Sequence, residues 1–459
     1  MALLLTPLVS LPLHFQSNLH FQNNTCNKKV HFLPFGSKLN LAVARAASIP
    51  GSTSDFPEKQ LRKRSSVAGV DQDELLDPHE LADPDSTFSD IHGVRVHHKV
   101  CHHDDEHLSR GSLNIGLPLV LLHGFGASVF SWSRVMRPLT RIAGSKVLAF
   151  DRPAFGLTAR SAPVRDNGAL NPYSMAFAVL ATLAFIDMLG AQKAILIGHS
   201  AGCLVAVNAY FEAPERIAAL ILVAPAIVAP LLSWRGKDGK IRKENNMGGG
   251  RTGSNDRNNP LVGIWRALLR MCMFIVGVAM RMLEEMRDMV RLVYAKVLAA
   301  VLRSSLAVML VRMIIDKFGI SAIRNSWYDA SQIADHVLQG YTKPLRCKGW
   351  EMALLEYTIA MFTDSASKSK PPLTRRLAEI SCPVLIVTGD TDRLVPSWNA
   401  ERLSMAIPGS TFEVIRKCGH LPHEEKVDEF LSVVERFLQK VFGVSEGYAS
   451  SNVSNSNSK

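Results

Sequence analysis

A serine at the centre of a glycine-bracketed turn is the residue best suited to do chemistry. Ser200 lies in the run Gly-His-Ser-Ala-Gly at 198–202, after a short apolar stretch of strand type and before a stretch of helical type. In so sharp a strand-to-helix turn, side chains two positions before and after the serine would collide, so glycines at Gly198 and Gly202 are expected. This context predicts an exposed nucleophile above the carboxyl end of a sheet.

A nucleophilic serine needs a base, and the base needs an acid that orients it. Asp390 and Asp392 follow an apolar strand predicted at 383–387, so both are candidates for the acid. His420 lies just past the last predicted strand, from where a histidine can swing over the serine, and it is the predicted base. His423 is the alternative, and we expect it at the exposed start of a helix. The chain order Ser, Asp, His favours acyl transfer through a covalent intermediate, which requires no metal or organic cofactor.

Acyl transfer also needs two backbone N–H groups that face the developing oxyanion. The apolar strand at 117–122 ends in His-Gly-Phe-Gly-Ala-Ser at 123–128. A glycine-bearing loop after a strand can supply one N–H, and the residue after the nucleophile supplies the other. The predicted donors are therefore the amides of Phe125 and Ala201.

The elements that must position these residues alternate along the chain. Near-continuous apolar runs of strand type, separated by helical stretches, predict a mostly parallel sheet covered by helices on both faces. The predicted strands lie at 93–100, 117–122, 147–150, 194–197, 218–223, 383–387 and 411–415.

Three motifs together resemble the α/β-hydrolase superfamily: His-Gly-Phe-Gly at 123–126, Asp-Arg-Pro-Ala-Phe-Gly at 151–156 and the serine turn at 198–202. The resemblance covers roughly residues 87–227 and 375–442. Within the superfamily the chain resembles the branch of cap-bearing esterases, C–C bond hydrolases, haloperoxidases and epoxide hydrolases, and among these the plant plastid members that include chlorophyll-dephytylating enzymes.

This resemblance implies an α/β-hydrolase fold with a helical cap inserted after the sixth strand. The family pattern G-x-x-D-x-x-V-P falls on Asp392, which favours Asp392 over Asp390 as the acid. A serine nucleophile disfavours the aspartyl-ester chemistry of epoxide and haloalkane cleavage. One departure is Ala154, where the family often has glycine, and it touches no catalytic role.

The expected cap, at 228–374, carries the net positive charge of the chain that follows the predicted transit peptide. Residues 228–315 contain fifteen Lys and Arg against six Asp and Glu, and the Gly- and Asn-rich part at 236–260 predicts a flexible basic loop. The longest uncharged apolar run, Met271 to Met280, is too short to span a bilayer. The alternatives are a plain helical cap with its arginines in solvent and a cap that also lies on an anionic membrane surface. No nucleic-acid motif accompanies the charge.

The first acidic residue of the chain is Asp55, and the residues before it carry four basic residues with several Ser and Asn. This composition predicts a chloroplast transit peptide over 1–46, with a mitochondrial or secretory segment as alternatives. A linker is expected over 47–86, core over 87–227 and 375–442, and a disordered tail over 443–459. Seven cysteines without paired spacing are typical of a reducing compartment.

These features together predict a serine hydrolase of an apolar ester, and peripheral contact of its cap with an anionic plastid membrane stays one of the two alternatives. An acyltransferase or a slow-turnover receptor on the same scaffold are the alternatives, and oligomeric state is left open. The histidine- and acid-rich stretch at 102–107 suggests a metal site, but a solvated hairpin tip is the favoured interpretation, so no metal is predicted.

Overall fold

Eight strands form the sheet on which the rest of the molecule is built. The computed structural model describes residues 65–103, 115–160, 170–230, 260–364 and 372–443. The expected transit peptide, nearly all of the 236–260 loop, residues 104–107 and the tail beyond Gly443 lie outside these ranges. The strands are β1 Thr87–Ile91, β2 Val94–Cys101, β3 Leu119–Leu122, β4 Val147–Phe150, β5 Ala194–His199, β6 Ile217–Val223, β7 Val384–Gly389 and β8 Thr411–Ile415.

The order across the sheet is β8-β7-β6-β5-β3-β4-β2-β1. β2 runs antiparallel to β1 and to β4, and every other neighbouring pair is parallel. Parallel strands need crossover connections, which here are helices. The prediction of a mostly parallel sheet is confirmed.

Helices cover both faces of this sheet because its central strands are apolar on both sides. In β3, Val120 and Leu122 belong to one buried cluster, and Leu119 and Leu121 belong to another. The first cluster includes α2 (Met175–Met188), α3 (Gly202–Glu212) and α9 (Ser397–Ala406), whereas the second includes α1 (Ser133–Ala143) and α11 (Val427–Phe442). The predicted two-sided cover is therefore confirmed.

A helical cap leaves the sheet after β6, which is the sixth strand of the sheet along the chain, as predicted. Its helices are α4 Pro260–Leu302, α5 Ser305–Ser326, α6 Asp335–Thr342 and α7 Trp350–Asp364; the short α8 Leu373–Arg376 and α10 Pro422–Glu425 complete the described helices of α type. Two buried carboxylates of α7 form ion pairs with an arginine at the end of α4 and with an arginine of α5. Glu356 accepts from Arg303 Nε at 2.5 Å, and Glu351 accepts from Arg312 Nε at 2.6 Å.

Part of the expected linker packs against this cap instead of crossing solvent. Trp350 Nε1 donates to Gln72 Oε1 at 3.0 Å, and Leu76 forms a parallel bridge with Cys347. Residues 65–86 therefore form structure, which corrects the prediction for that part of 47–86. The charged composition hid these two contacts, since one is made by the amide side chain of Gln72 and the other by the backbone of Leu76.

No single described helix is long and apolar enough to cross a membrane. The stretch Leu268–Leu302 of α4 together with α5 passes that test of length and composition only as a pair, and the two are bent by 67°.

Candidate active site

Ser200 sits at the turn between β5 and α3 in a left-handed backbone conformation, with φ 50°. Its N–H donates to Val223 O at 2.9 Å, which ties the turn to β6. A Cβ at Gly198 would lie 2.8 Å from the Cys203 backbone, and one at Gly202 would lie 2.1 Å from Leu122 O. Only glycine fits at either position, so the sharp turn predicted around Ser200 is present and sterically enforced.

Asp392 and His420 are in direct contact. His420 Nδ1 lies 2.7 Å from Asp392 Oδ2, and both side chains are buried. The other carboxylate oxygen accepts from the amides of Leu394 at 2.8 Å and Val395 at 2.9 Å. Because the carboxylate is fixed from both sides, it orients the imidazole with Nδ1–H toward itself and leaves Nε2 available as a base.

Asp390, the other acid that the sequence leaves open, does not contact this histidine. Its Oδ1 accepts from the amide of Cys418 at 3.2 Å and the hydroxyl of Thr391 at 2.9 Å, so it shapes the turn. Burial raises the Asp390 pKa, but hydrogen bonds from the backbone and from Thr391 outweigh it and lower that pKa.

The loop that carries His420 is tied to the serine turn and to the cap. His199 Nε2 donates to His420 O at 2.9 Å, and the His420 amide donates to Ser326 O at the end of α5 at 2.6 Å. Ser200 and His420 are not hydrogen-bonded to each other. In enzymes without substrate such catalytic hydrogen bonds are often long and tighten on binding.

The loop after β3 lies directly against the serine turn. A Cβ at Gly124 would lie 3.1 Å from Ser200 Cβ and 2.9 Å from His199 Nδ1. The absence of a side chain at this glycine therefore lets the Phe125 amide approach the serine. The Ala201 amide, at the N-terminus of α3, is the other predicted oxyanion donor, and helix N-termini leave such groups unpaired.

Arg152 holds the peptide whose N–H is the predicted oxyanion donor of Phe125, a contact that sequence reasoning missed. Its buried guanidinium donates to His123 O at 3.1 Å and Gly124 O at 3.3 Å. In a trans peptide the carbonyl and the following N–H point in opposite directions. Holding Gly124 O toward Arg152 therefore turns the Phe125 N–H to the opposite side of this peptide. The only signal in the sequence was the position of Arg152 in the 151–156 motif.

His123 completes this support as a neutral imidazole. Its Nδ1 donates to Gly124 O at 2.7 Å, and its Nε2 accepts from the Arg152 amide at 3.1 Å. Burial and the charge of Arg152 lower the pKa of His123 to about 4. The ring therefore stays uncharged near neutral pH and its tautomer is fixed.

The 151–156 loop is organised by Asp151, whose carboxylate accepts from His97 Nδ1, from the Val129 amide and from the Leu157 amide, each at 2.7 Å. Burial raises the Asp151 pKa, but the neighbouring His97 and these hydrogen bonds outweigh it and lower the pKa to about 2. Ala154 in this loop has φ 81°, a conformation that favours glycine. This explains the glycine expected there from the resemblance.

Aromatic side chains from core and cap meet over the oxyanion loop. The ring of Tyr357 on α7 lies 6.0 Å from that of Phe125 and 4.9 Å from that of Phe155. Ala353 and Ala360, on the same helix, are buried in this cluster. The wall that the cap presents beside the predicted oxyanion site is therefore apolar.

His423 is fully buried, so the expectation of an exposed helix start is wrong. Its ring packs 4.2 Å from Trp132 and 4.7 Å from His199, and neither ring nitrogen has a hydrogen-bond partner in the described structure. Burial lowers its pKa to about 3. The short α10 turns this residue inward, so it is a neutral packing residue rather than a second base.

Glu424, beside it, is also buried and bonds to the cap. Its Oε1 accepts from the hydroxyl of Tyr341 on α6 at 2.5 Å. Burial raises the pKa of Glu424 to about 8, against the opposing effects of Tyr341 and Arg134. A carboxyl that stays largely protonated at neutral pH therefore joins core and cap.

The fold and the serine turn together define the class of this protein, which belongs to the Alpha/beta hydrolase family and matches it over residues 119–433. The chain is similar to two bacterial hydrolases over most of their length. A 2-hydroxy-6-oxo-6-phenylhexa-2,4-dienoate hydrolase of Comamonas testosteroni is 24% identical over 327 residues, 71% of this chain and 88% of that protein. A 2-hydroxy-6-oxononadienedioate/2-hydroxy-6-oxononatrienedioate hydrolase of Klebsiella pneumoniae is 27% identical over 329 residues, 70% of this chain and 87% of that protein.

Among solved structures, the chain is similar to a thermophilic esterase from Thermogutta terrifontis. The identity is 18% and the TM-score 0.46, with 78% of this chain and 98% of that chain covered.

Proposed function

We propose that this protein is a serine hydrolase that cleaves an apolar carboxylic ester through Ser200, His420 and Asp392. The observation that carries the proposal is the oriented pair of His420 and Asp392, 2.7 Å apart, on a loop that His199 ties to the serine turn. A neutral imidazole with Nδ1–H on a carboxylate is the form that can take a proton from a serine.

The reaction then proceeds in two halves. Ser200 Oγ attacks the ester carbonyl while His420 Nε2 takes the hydroxyl proton, and the Phe125 and Ala201 amides bind the oxyanion. The bond to the alcohol oxygen breaks, and His420 returns the proton to that oxygen. Water, deprotonated by His420, then attacks the acyl carbon. The bond to Ser200 Oγ breaks, and His420 returns the proton to Oγ, which releases the acid and free Ser200.

An apolar substrate is supported by what surrounds the oxyanion loop. Phe125, Phe155 and Tyr357 form the aromatic cluster there, and α7 adds small buried alanines. Such a wall stabilises hydrocarbon and offers little to a charged acyl chain. Lipid and pigment esters, which the likeness to plastid dephytylating enzymes suggests, fit this class. We also propose that the reaction takes place in the plastid, which the acid-free composition of the first 54 residues supports.

A fluorophosphonate probe tests the nucleophile. The protein should be labelled covalently, Ser200→Ala should not be labelled, and the control Ser404→Ala, at a solvent-facing serine of α9, should be labelled as wild type. His420→Ala should lower kcat on a long-chain nitrophenyl ester by about 10³-fold or more. Equal labelling of Ser200→Ala would overturn the assignment. Product analysis with water and alcohol acceptors distinguishes hydrolysis from acyl transfer.

A further inference from the structure

The N-terminal part of α4 stands apart from the rest of the described structure. Every side chain that the structure describes between Ile264 and Tyr294 is exposed. At 1.5 Å per residue this is about 45 Å of helix without cover from the described chain. Exposed apolar surface of this extent marks a contact site in a folded protein.

This segment is apolar along one continuous face. Uncharged, mostly large apolar residues recur every three or four positions, from Ile264 and Leu268 to Val293 and Val297. From Ile264 to Val297 the recurrence takes nine steps of about 3.7 residues each, so the stripe stays close to one side of the helix. A two-stranded coiled coil would instead require a narrow seam with a repeat of 3.5.

The middle of the segment is apolar on all sides. Residues 271–280 carry no charge, and Met273 and Phe274 are 66% and 71% exposed while Ile275 and Val276 are 57% and 60% exposed. At 100° per residue these four side chains point in different directions around the helix. A second protein helix would cover only one side, whereas immersion in lipid covers all of them.

The charges on α4 favour an anionic surface. Arg270 and Arg281 flank the uncharged stretch, and no acidic residue occurs in α4 before Glu284. Over the whole helix, six Arg and Lys face three Asp and Glu. Near an anionic bilayer each basic residue adds attraction, and long arginine side chains can reach the headgroups while their stems stay in apolar surroundings.

We propose that Ile264–Tyr294 of α4 docks the protein on an anionic lipid bilayer, lying in its interface with residues 271–280 immersed. At its far end α4 leads into Arg303, which forms an ion pair with the buried Glu356 of α7. Tyr357, the next residue of α7, contacts Phe125 and Phe155. This ion pair thus connects the end of the docked helix to α7, the helix that covers the predicted oxyanion loop. That it supplies a membrane-borne ester rests on the proposed function; the docking itself does not.

Co-sedimentation of the full chain with vesicles of phosphatidylcholine and phosphatidylglycerol tests the docking. Wild type, Ser200→Ala and the control Met405→Asp, at a 63% exposed methionine of α9, should bind equally. Phe274→Asp should lower the partition coefficient at least about tenfold. Arg270→Glu with Arg281→Glu should weaken binding to anionic vesicles at low salt and match wild type on pure phosphatidylcholine.

Failure of wild type to bind anionic vesicles, or equal binding of Phe274→Asp, would overturn the proposal. Sedimentation velocity without lipid tests the alternative that a second copy of the chain covers this helix. A wild-type dimer that Phe274→Asp dissociates, together with no vesicle binding, would assign the helix to a second copy. If the docked helix supplies a membrane-borne ester, vesicles should raise the turnover of a long-chain ester by wild type but not by Phe274→Asp. The turnover of short soluble esters should not change. Vesicle binding by an enzyme without esterase activity would refute the proposed function and leave the docking intact.

Discussion

Arg152 shows how one buried guanidinium can set the direction of a peptide dipole next to the predicted nucleophile. It holds the carbonyls of His123 and Gly124, which fixes the peptide that carries the Phe125 amide. A lysine there would keep the charge but lose the planar, forked donor geometry.

We therefore expect Arg152→Lys to lower kcat about 10²-fold with a smaller change in KM, because one oxyanion donor loses its orientation. The matched control is Arg160→Lys, since Arg160 also donates to backbone carbonyls, those of Phe155, Gly156 and Thr158. Steady-state kinetics and thermal unfolding check this. Both variants should lose stability, and an equal loss of kcat in the two would contradict the assigned role.

The buried imidazole of His423 makes a prediction about acid stability. Its pKa is lowered to about 3 from the ordinary 6.5, so below about pH 6.5 the unfolded chain takes up a proton that the folded chain refuses. The free energy of unfolding then falls by up to about 1.4 kcal/mol per pH unit until about pH 3. Relative to wild type, His423→Leu should therefore gain about 2 kcal/mol between pH 7.5 and pH 5.

Denaturant unfolding at the two pH values measures this gain, with His336→Leu, at an exposed position of α6, as the control. If His423→Leu and wild type lose stability in parallel from pH 7.5 to pH 5, the ring is not held neutral by burial.

For single residues, the sequence was informative where local backbone geometry dictates the residue type. Ser200 and its two glycines could be predicted because a single turn imposes all three. Arg152 and His423 could not, because their roles arise from contacts with residues distant in the chain. His423 and His420 are only three positions apart, yet only the three-dimensional structure shows that one contacts Asp392 and the other Trp132.

Among the elements, the 151–156 loop carries a strain that substitution can release. Ala154 adopts φ 81°, which costs a residue with a side chain about 1 kcal/mol. Ala154→Gly should therefore raise the free energy of unfolding by up to about that amount, and thermal unfolding checks it.

The control is Ala400→Gly at a buried helical position in α9, where glycine should cost about 1 kcal/mol instead. Destabilisation of similar size in both variants would mean that the loop is not strained.

The strands were predictable because a sheet buried on both faces requires continuous apolar runs, and such runs are visible in a sequence. The role of residues 65–86 was not, since a few buried side chains such as Val67 and Leu81 are outnumbered by charges in that stretch. The length of α4 was also not predictable, because the segment from Ile264 to Tyr294 has no core to pack against among the described residues.

On the scale of the whole molecule, the acid-free N-terminus makes a prediction about location. A fusion of residues 1–60 to a fluorescent reporter should enter plastids and be trimmed near Ala46, because acid-poor, basic, serine-bearing segments are typical of transit peptides. Imaging and N-terminal sequencing of the reporter check this.

The matched control replaces Lys28, Lys29, Lys38 and Arg45 by Glu and should remain in the cytosol. Cytosolic retention of the unaltered fusion would show that the segment has another role, and mitochondrial import would favour the alternative destination.

The hydrogen bonds between the cap and the loop that carries His420 have a consequence for exchanging the cap. The Ser326 carbonyl accepts from the His420 amide, and Glu425 accepts from the amides of Tyr328 and Asp329 in the cap as well as from Gly419. The segment that follows α5, within the cap, thus supports the loop that carries His420. A chimera that exchanged caps between relatives would have to keep residues 326–329 with the core, or lose the position of the predicted base along with the old specificity.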